Sequence, residues 1–187
     1  MAKVMRVVNM VAVANFHGRM DISGLSNRLG QNIAQPNHIR VMVRYPDLYK
    51  RGYISTATVF HTGKAVLAGA NSYKSLAYNW VRLLSDMWRA GLGFERVPLL
   101  EVVNVVYEAN LGYPVNLDTI ALTMNNVDYD PEQFPGLILK FFKERYSVTI
   151  FSNGRVIIAG PLEYEEAVRT LERVEEILSL VDASPIQ

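Results

Sequence analysis

Two stretches of this chain repeat each other at a fixed spacing. VVNMVAVANF at residues 7–16 returns as VVNVVYEANL at residues 102–111, so Asn9 and Asn15 recur 95 positions on as Asn104 and Asn110. Pro36–Asn37–His38–Ile39 keeps that spacing with Pro131–Glu132–Gln133–Phe134. TATVFHTGKAVLAG at 56–69 matches SVTIFSNGRVIIAG at 147–160, now 91 positions apart. The drop in spacing places a net four extra residues in the first copy, between Arg44 and Ser55, where a surface loop tolerates insertion cheaply. A repeat of this size constrains the fold strongly, because whatever one copy becomes, the chain must build twice. The copies are residues 1–94 and 95–187, joined near Gly93–Pro98. No Pro/Gly/Ser-rich linker parts them, so they are expected to share one core or one continuous sheet.

Each copy opens with a β-rich run, residues 4–14 and 99–109. A helix should follow, capped by Asp21 and reaching Asn32 in the first copy, and capped by Asn116 or Asp118 and reaching Met124 in the second. Three strand-like runs come next, at 134–142, 146–152 and 155–160 in the second copy. Asn153–Gly154 joins the last two as a two-residue hairpin signal, and Thr62–Gly63 is its weaker counterpart. A longer helix closes each copy. Residues 162–181 set Ala167, Leu171, Val174, Ile177, Leu178 and Val181 on one face, and residues 72–90 do the same with Leu76, Trp80, Leu83, Leu84 and Met87. The unit reads β-α-β-β-β-α, and two units make an α+β protein of eight to ten strands and four helices.

Composition removes several classes of function. The chain has 187 residues, is 50% hydrophobic and contains no cysteine, so it can bury a core and offers no disulfide, thiolate nucleophile or cysteine metal site. No apolar run is long enough to cross a bilayer, and the opening MAKVMRVVNMVAVANF is a poor signal peptide, interrupted by Asn9. His17, His38 and His61 are scattered and have no counterparts in the second copy. P-loop, G-x-S-x-G and G-x-G-x-x-G patterns are absent. Neither an enzyme nor a bound cofactor is expected. The net charge of +1 conceals a split: residues 1–94 carry 12 Lys/Arg against 3 Asp/Glu, and residues 95–187 carry 7 against 15. Such asymmetry suits a polyanion or an oriented partner.

The strands are apolar on both faces. Asn9, Val11 and Val13 share one face of their strand, as do Asn104 and Val106, Thr58 and Phe60, and Thr149 and Phe151. If helices cover one face only, the other exposes a wide apolar sheet dotted with Asn and Thr, the mark of a binding surface. A closed sandwich or barrel with both faces buried is the alternative.

VVNVVYEANLGYPVNLDTIAL, YDPEQFPGLI and TIFSNGRVIIAG resemble the TATA-box-binding protein family of archaea and eukaryotes. The likeness covers nearly the whole chain and is stronger in the second copy. It implies a pseudo-twofold saddle with a curved antiparallel sheet, helices on the convex side and a concave side that binds the DNA minor groove. The family is itself a known example of β-sheet minor-groove binding, so that mode comes with the resemblance. By the resemblance, Asn9 and Asn104 are the central asparagines, whose amides suit the adenine N3 and thymine O2 acceptors. Val11 and Val106 flank them. Phe134 and Phe151, with Pro135, are the second-copy wedge. Phe60 and Ile39 fill the first-copy wedge positions, with isoleucine in place of a ring. Val66 and Ile157 are the aliphatic positions beside the centre, and Lys64, Lys140 and Arg155 lie near phosphates. Ala68 and Ala159 replace paired threonines, and Thr58 and Thr149 stand where leucine is usual. Two lost hydroxyls, at ~0.5–1.5 kcal/mol each, imply relaxed sequence discrimination with a retained preference for deformable A·T-rich DNA.

Partners follow from the same likeness. Asp130, Glu132 and Gln133 match the acidic loop that docks transcription factor B, with the RNA polymerase machinery engaged indirectly. Lys50 and Arg51 fall in the loop holding the insertion. The implied compartment is the nucleus for a eukaryotic protein and the cytoplasm for an archaeal or viral one. Two other readings stay open: a degenerate module whose concave face binds a protein rather than DNA, and an enzyme or small-ligand carrier in a helix–sheet cleft.

Overall fold

The computed structural model describes residues 5–29, 34–36, 40–46, 54–141, 146–160 and 163–182. The chain forms two compact units, one spanning Val8–Val103 and the other formed by Met1–Val7 with Asn104–Gln187. The first repeat runs β1 (Arg6–Asn15), α1 (Ser23–Leu29), β2 (Ala34–Pro36), β3 (Arg40–Pro46), β4 (Ile54–Phe60), β5 (Lys64–Ala70) and α2 (Tyr73–Arg89). The second runs β6 (Glu101–Asn110), α3 (Leu117–Thr123), β7 (Val127–Asp128), β8 (Gly136–Lys140), β9 (Ser147–Phe151), β10 (Arg155–Ala159) and α4 (Tyr164–Asp182). The α+β class and the repeated order are as the sequence implies. Each repeat also carries one more short strand, β2 or β7, than the six-element pattern.

Within the first repeat the strands lie in the order β2-β3-β4-β5-β1, and within the second β7-β8-β9-β10-β6, antiparallel wherever their pairing is described. Alternation sorts their side chains. Met10, Ala12 and Ala14 of β1, Val41, Val43 and Tyr45 of β3, Ala57 and Val59 of β4, and Ala65 and Leu67 of β5 are buried. Val105, Tyr107 and Ala109 of β6, Leu137 and Leu139 of β8, Val148 and Ile150 of β9, and Val156 and Ile158 of β10 match them. The long helices supply the opposing layer. α2 packs on β4 and β5, turning Leu76, Trp80, Leu83 and Met87 inward, and α4 packs on β10 with Ala167, Leu171, Val174, Leu178 and Val181. Leu84 and Ile177, expected on those inward faces, are only half-buried.

Polar residues end the elements. Ser72 Oγ accepts the Ser75 N–H at 3.1 Å at the start of α2, and Asn116 Oδ1 accepts the Thr119 N–H at 3.1 Å at the start of α3. Asp21 Oδ1 accepts the Ser23 N–H at 3.1 Å in an Asx turn one residue ahead of the cap position, Ile22, whose carbonyl accepts from Ser26 N; the expected continuation to Asn32 lies outside the described residues. The repeated asparagines at the ends of β1 and β6 close Asx turns: Asn15 Oδ1 accepts from His17 N and Asn110 Oδ1 from Gly112 N.

The β9–β10 hairpin is present, but its turn has three residues rather than two. Gly154 N donates to Phe151 O at 2.9 Å, and only Gly154, at φ +81°, is left-handed, since Asn153 keeps a negative φ. This is a type I turn closed by a left-handed glycine. Gly63, at φ +85°, does the same after Phe60. A Cβ on Gly63 would lie 2.2 Å from Gly18 O, and one on Gly154 2.2 Å from Tyr113 O, so each hairpin tip is clamped to the loop after its repeat's first strand.

Four residues of the added length, Tyr45, Pro46, Ile54 and Ser55, are strand. Lys140 pairs with Ser147 at the last rung of β8–β9. The matching rung of β3–β4 is Arg44 with Thr56, and two further rungs follow, Tyr45 with Ser55 and Pro46 with Ile54. The lengthened hairpin is anchored: Tyr45 is 1% exposed, its hydroxyl donates to Asp86 Oδ2 at 2.8 Å, and the Arg82 guanidinium lies 4.7 Å from its ring centre. Lys50 and Arg51, beyond the hairpin's end, lie outside the described residues.

Candidate nucleic-acid interface

In each unit the face opposite the helices carries half-exposed side chains, and among the described residues no helix covers it. A closed sandwich would have buried them. In the first-repeat unit these side chains are Asn9, Val11, Thr58, Phe60, Val66 and Ala68. In the second they are Asn104, Val106, Thr149, Phe151, Ile157 and Ala159. Lys64, Lys140 and Arg155 are exposed at the strand ends. The surface is apolar with a few amide and hydroxyl groups, which suits base edges and sugars better than phosphates.

Asn9 is oriented by the sheet. Its Oδ1 accepts the Gly69 N–H at 2.8 Å, beside the irregularity in β1–β5 pairing between Met10 and Val11. With the oxygen occupied, the amine is the group left to meet a ligand, and an amine is what the acceptor-only A·T minor groove requires. At the corresponding place in the second repeat, Gly160 N donates to Val105 O at 3.2 Å, leaving the Asn104 amide uncommitted to that glycine.

Phe134 and Phe151 form a ring pair, centroids 5.9 Å apart and planes at 67°, with Phe134 44% exposed. The loop that carries Phe134 is built on Asp130. The Asp130 carbonyl accepts from Gln133 N and Phe134 N, and its carboxylate from Glu132 N at 3.2 Å and Gln133 Nε2 at 2.5 Å. Asp130 and Gln133 are therefore engaged in shaping the loop, while Glu132 is exposed on it together with Pro135. Gly136 provides the room. A Cβ there would sit 2.7 Å from Phe134 Cε1 and 3.1 Å from Phe151 Cε1.

Among the described residues the first repeat shows no counterpart of this ring pair. Met42 lies opposite Thr58 as Ile138 lies opposite Thr149, so the repeat spacing across β3 and β8 is 96, not 95. Arg40, opposite Phe60, then stands where Gly136 stands opposite Phe151. Gln35 pairs with Met42 across residues 36–41, and Asp128 pairs with Ile138 across residues 129–137, so the first connection is three residues shorter. Ile39, matched to Phe134 in the sequence, lies outside the described residues.

Lys140 Nζ is 3.2 Å from Asp128 Oδ2, and Arg155 reaches both Glu108 and the Phe151 ring. These ion pairs were not legible in spacing or periodicity. The repeat itself held one signal, since Glu108 interrupts it opposite Val13 of the first copy.

Residues 100–181 match the family model described as transcription factor TFIID, or TATA-binding protein. A TATA-box-binding protein of Pyrococcus horikoshii is 29% identical over 95% of this chain and 93% of its own length. One of Thermococcus celer is 34% identical over 66% of this chain and 67% of its own length. The chain belongs to the TATA-box-binding protein family. The solved structure of Methanococcus jannaschii TBP superposes with a TM-score of 0.80 at 26% identity, covering 94% of this chain and 98% of that one. The family fold therefore spans both repeats, whereas the family model itself matches only the second.

Proposed function

We propose that this chain is a TATA-type transcription initiation factor that binds A·T-rich duplex DNA through the minor groove, bends it and presents its second-repeat loop to a transcription factor B homologue. The Phe134–Phe151 pair carries the reading: two rings on the sheet face that Asn104 and Val106 share, which no helix covers among the described residues. Apolar side chains of this kind enter base steps from the minor groove and kink the duplex, a mode for which the family is itself a standing example. Asn9 and Asn104 supply donors for the A·T acceptors, and Val11, Val106, Val66 and Ile157 press on sugars and base edges. Lys64, Lys140 and Arg155 hold the backbone. Ala68 and Ala159 offer no hydroxyl, which leaves deformability rather than direct readout as the main source of preference. Glu132, exposed on a loop that Asp130 and Gln133 brace, is the acidic contact for a basic partner. The archaeal relatives favour the cytoplasm as the compartment.

Energy transfer between dyes at the two ends of an A·T-rich duplex tests the reading. Bending on addition of the protein is expected, and an unbent duplex at low salt would reject it. Affinity that rises steeply as salt falls marks phosphate contacts. A flat salt response would favour a protein on this face instead.

A further inference from the structure

Besides Asp128, which Lys140 pairs, a second carboxylate stands on the open face of the second-repeat unit. Glu108 shares that face of β6 with Asn104 and Val106 and pairs with Ile157 of β10, while Tyr107 and Ala109 turn into the core. On a surface that receives a polyanion, this charge opposes binding unless something neutralises it. Two guanidiniums do so. Arg6 donates to Glu108 Oε1 from Nε at 3.1 Å and from Nη2 at 2.5 Å, and Arg155 Nε lies 3.6 Å from Oε2. The Arg155 guanidinium also lies 4.7 Å from the centre of the Phe151 ring, and that ring packs on Phe134. The Glu108 side chain is only 20% exposed, against 59% for Arg6 and 48% for Arg155, so the cations lie outermost.

We propose that Glu108 is an internal stand-in for a DNA phosphate, which holds Arg6 and Arg155 until a duplex that accepts the phenylalanine wedge takes them over. The inference rests on the DNA-binding reading. A guanidinium pairs through the same planar fork with carboxylate or phosphate, so the two anions compete for it. A non-specific duplex must displace Glu108 with phosphates alone. A duplex that admits the wedge also moves the Phe151 ring on which Arg155 rests, so insertion and release of the arginine go together. Glu108 thereby weakens non-specific binding more than specific binding. It is a specificity-determining residue that need not touch a base.

The test measures affinity of the full chain for an A·T-rich and a G·C-rich duplex of equal length over a salt series, with Glu108→Gln, Arg155→Gln and the double variant. Glu108→Gln is expected to tighten the G·C-rich complex by about fivefold, the ceiling an exposed ion pair sets, and the A·T-rich complex by less. The salt slope should steepen by about 0.9 for each arginine released. In the Arg155→Gln background the gain should shrink. Equal tightening on both duplexes, or an undiminished gain in that background, overturns the proposal and leaves Glu108 a plain repulsive charge. Should glutamine disturb folding, seen as a lowered melting temperature, Glu108→Val supplies the residue the first repeat carries and the same comparison. Wild-type protein that neither binds nor bends either duplex at low salt defeats the DNA reading itself, before any variant is compared.

Discussion

Phe134 and Gly136 depend on each other. The ring can lie against Phe151 only because position 136 has no Cβ, and the space is useful only because a ring fills it. Gly136→Ala is expected to cost about 1–3 kcal/mol of stability by overpacking and to weaken DNA binding as the pair is pushed apart, read by chemical denaturation and by titration with duplex. Phe134→Ala separates the two effects. Its ring is 44% exposed, so the melting temperature should barely move, while binding should weaken by about 1–3 kcal/mol, the scale of an aromatic stacked on a base. Unchanged affinity would remove Phe134 from the interface. At this scale the sequence was informative where a motif repeats, as with Asn9 and Asn104 or Phe60 and Phe151. It marked Glu108 as a break in the repeat but was silent on its ion pair with Arg6, 102 positions away, because period-two alternation reports burial and says nothing of which charge lies alongside.

Among the elements, the long helices and the hairpins were legible because many residues vote for each. β2 and β7, at three and two residues, are too short to show a period and exist only through pairing with β3 and β8. The lengthened β3–β4 hairpin was visible as a length difference but not as strand, since spacing counts residues without placing them. Its anchor is testable. Burial first, and then the bond to Asp86, hold the Tyr45 phenol far above its usual range. Folding thus favours the neutral phenol, so that stability is complete below the unfolded tyrosine value of about 10 and declines as pH rises beyond it. Tyr45→Phe should cost about 1 kcal/mol at neutral pH and flatten the alkaline decline, measured by urea unfolding at both pH values. A variant as steep as wild type above that pH would clear Tyr45 of the effect. Beneath the same hairpin, Asn79 of α2 is 2% exposed, and neither its amide oxygen nor its nitrogen has a partner among the described residues. At the corresponding position of α4, Thr170 is satisfied by donating to Glu166 O at 2.8 Å. Asn79→Leu should therefore raise the melting temperature by relieving a buried polar group, by about 1–3 kcal/mol. A lower melting temperature would show that the amide is satisfied in solution.

For the whole molecule, the duplication conceals a division of labour. The family model recognises only residues 100–181, the half that keeps the ring pair, the braced loop and the glycine. The other half carries the lengthened hairpin, Arg40 at the glycine's place and most of the basic charge. On the DNA-binding reading, Phe151→Ala should reduce bending more than Phe60→Ala, because only Phe151 has a described ring partner to insert with. Energy transfer on the same duplex measures both, and equal losses would show the repeats to be equivalent wedges. The connection between β2 and β3, three residues shorter than its counterpart, then has a reach beyond packing. Unlike halves are not interchangeable on a duplex, so a near-palindromic promoter presents this chain with two orientations of unequal energy. On the DNA-binding reading, the direction in which a gene is copied would begin to be chosen by the bare protein, from a difference in length between its two halves.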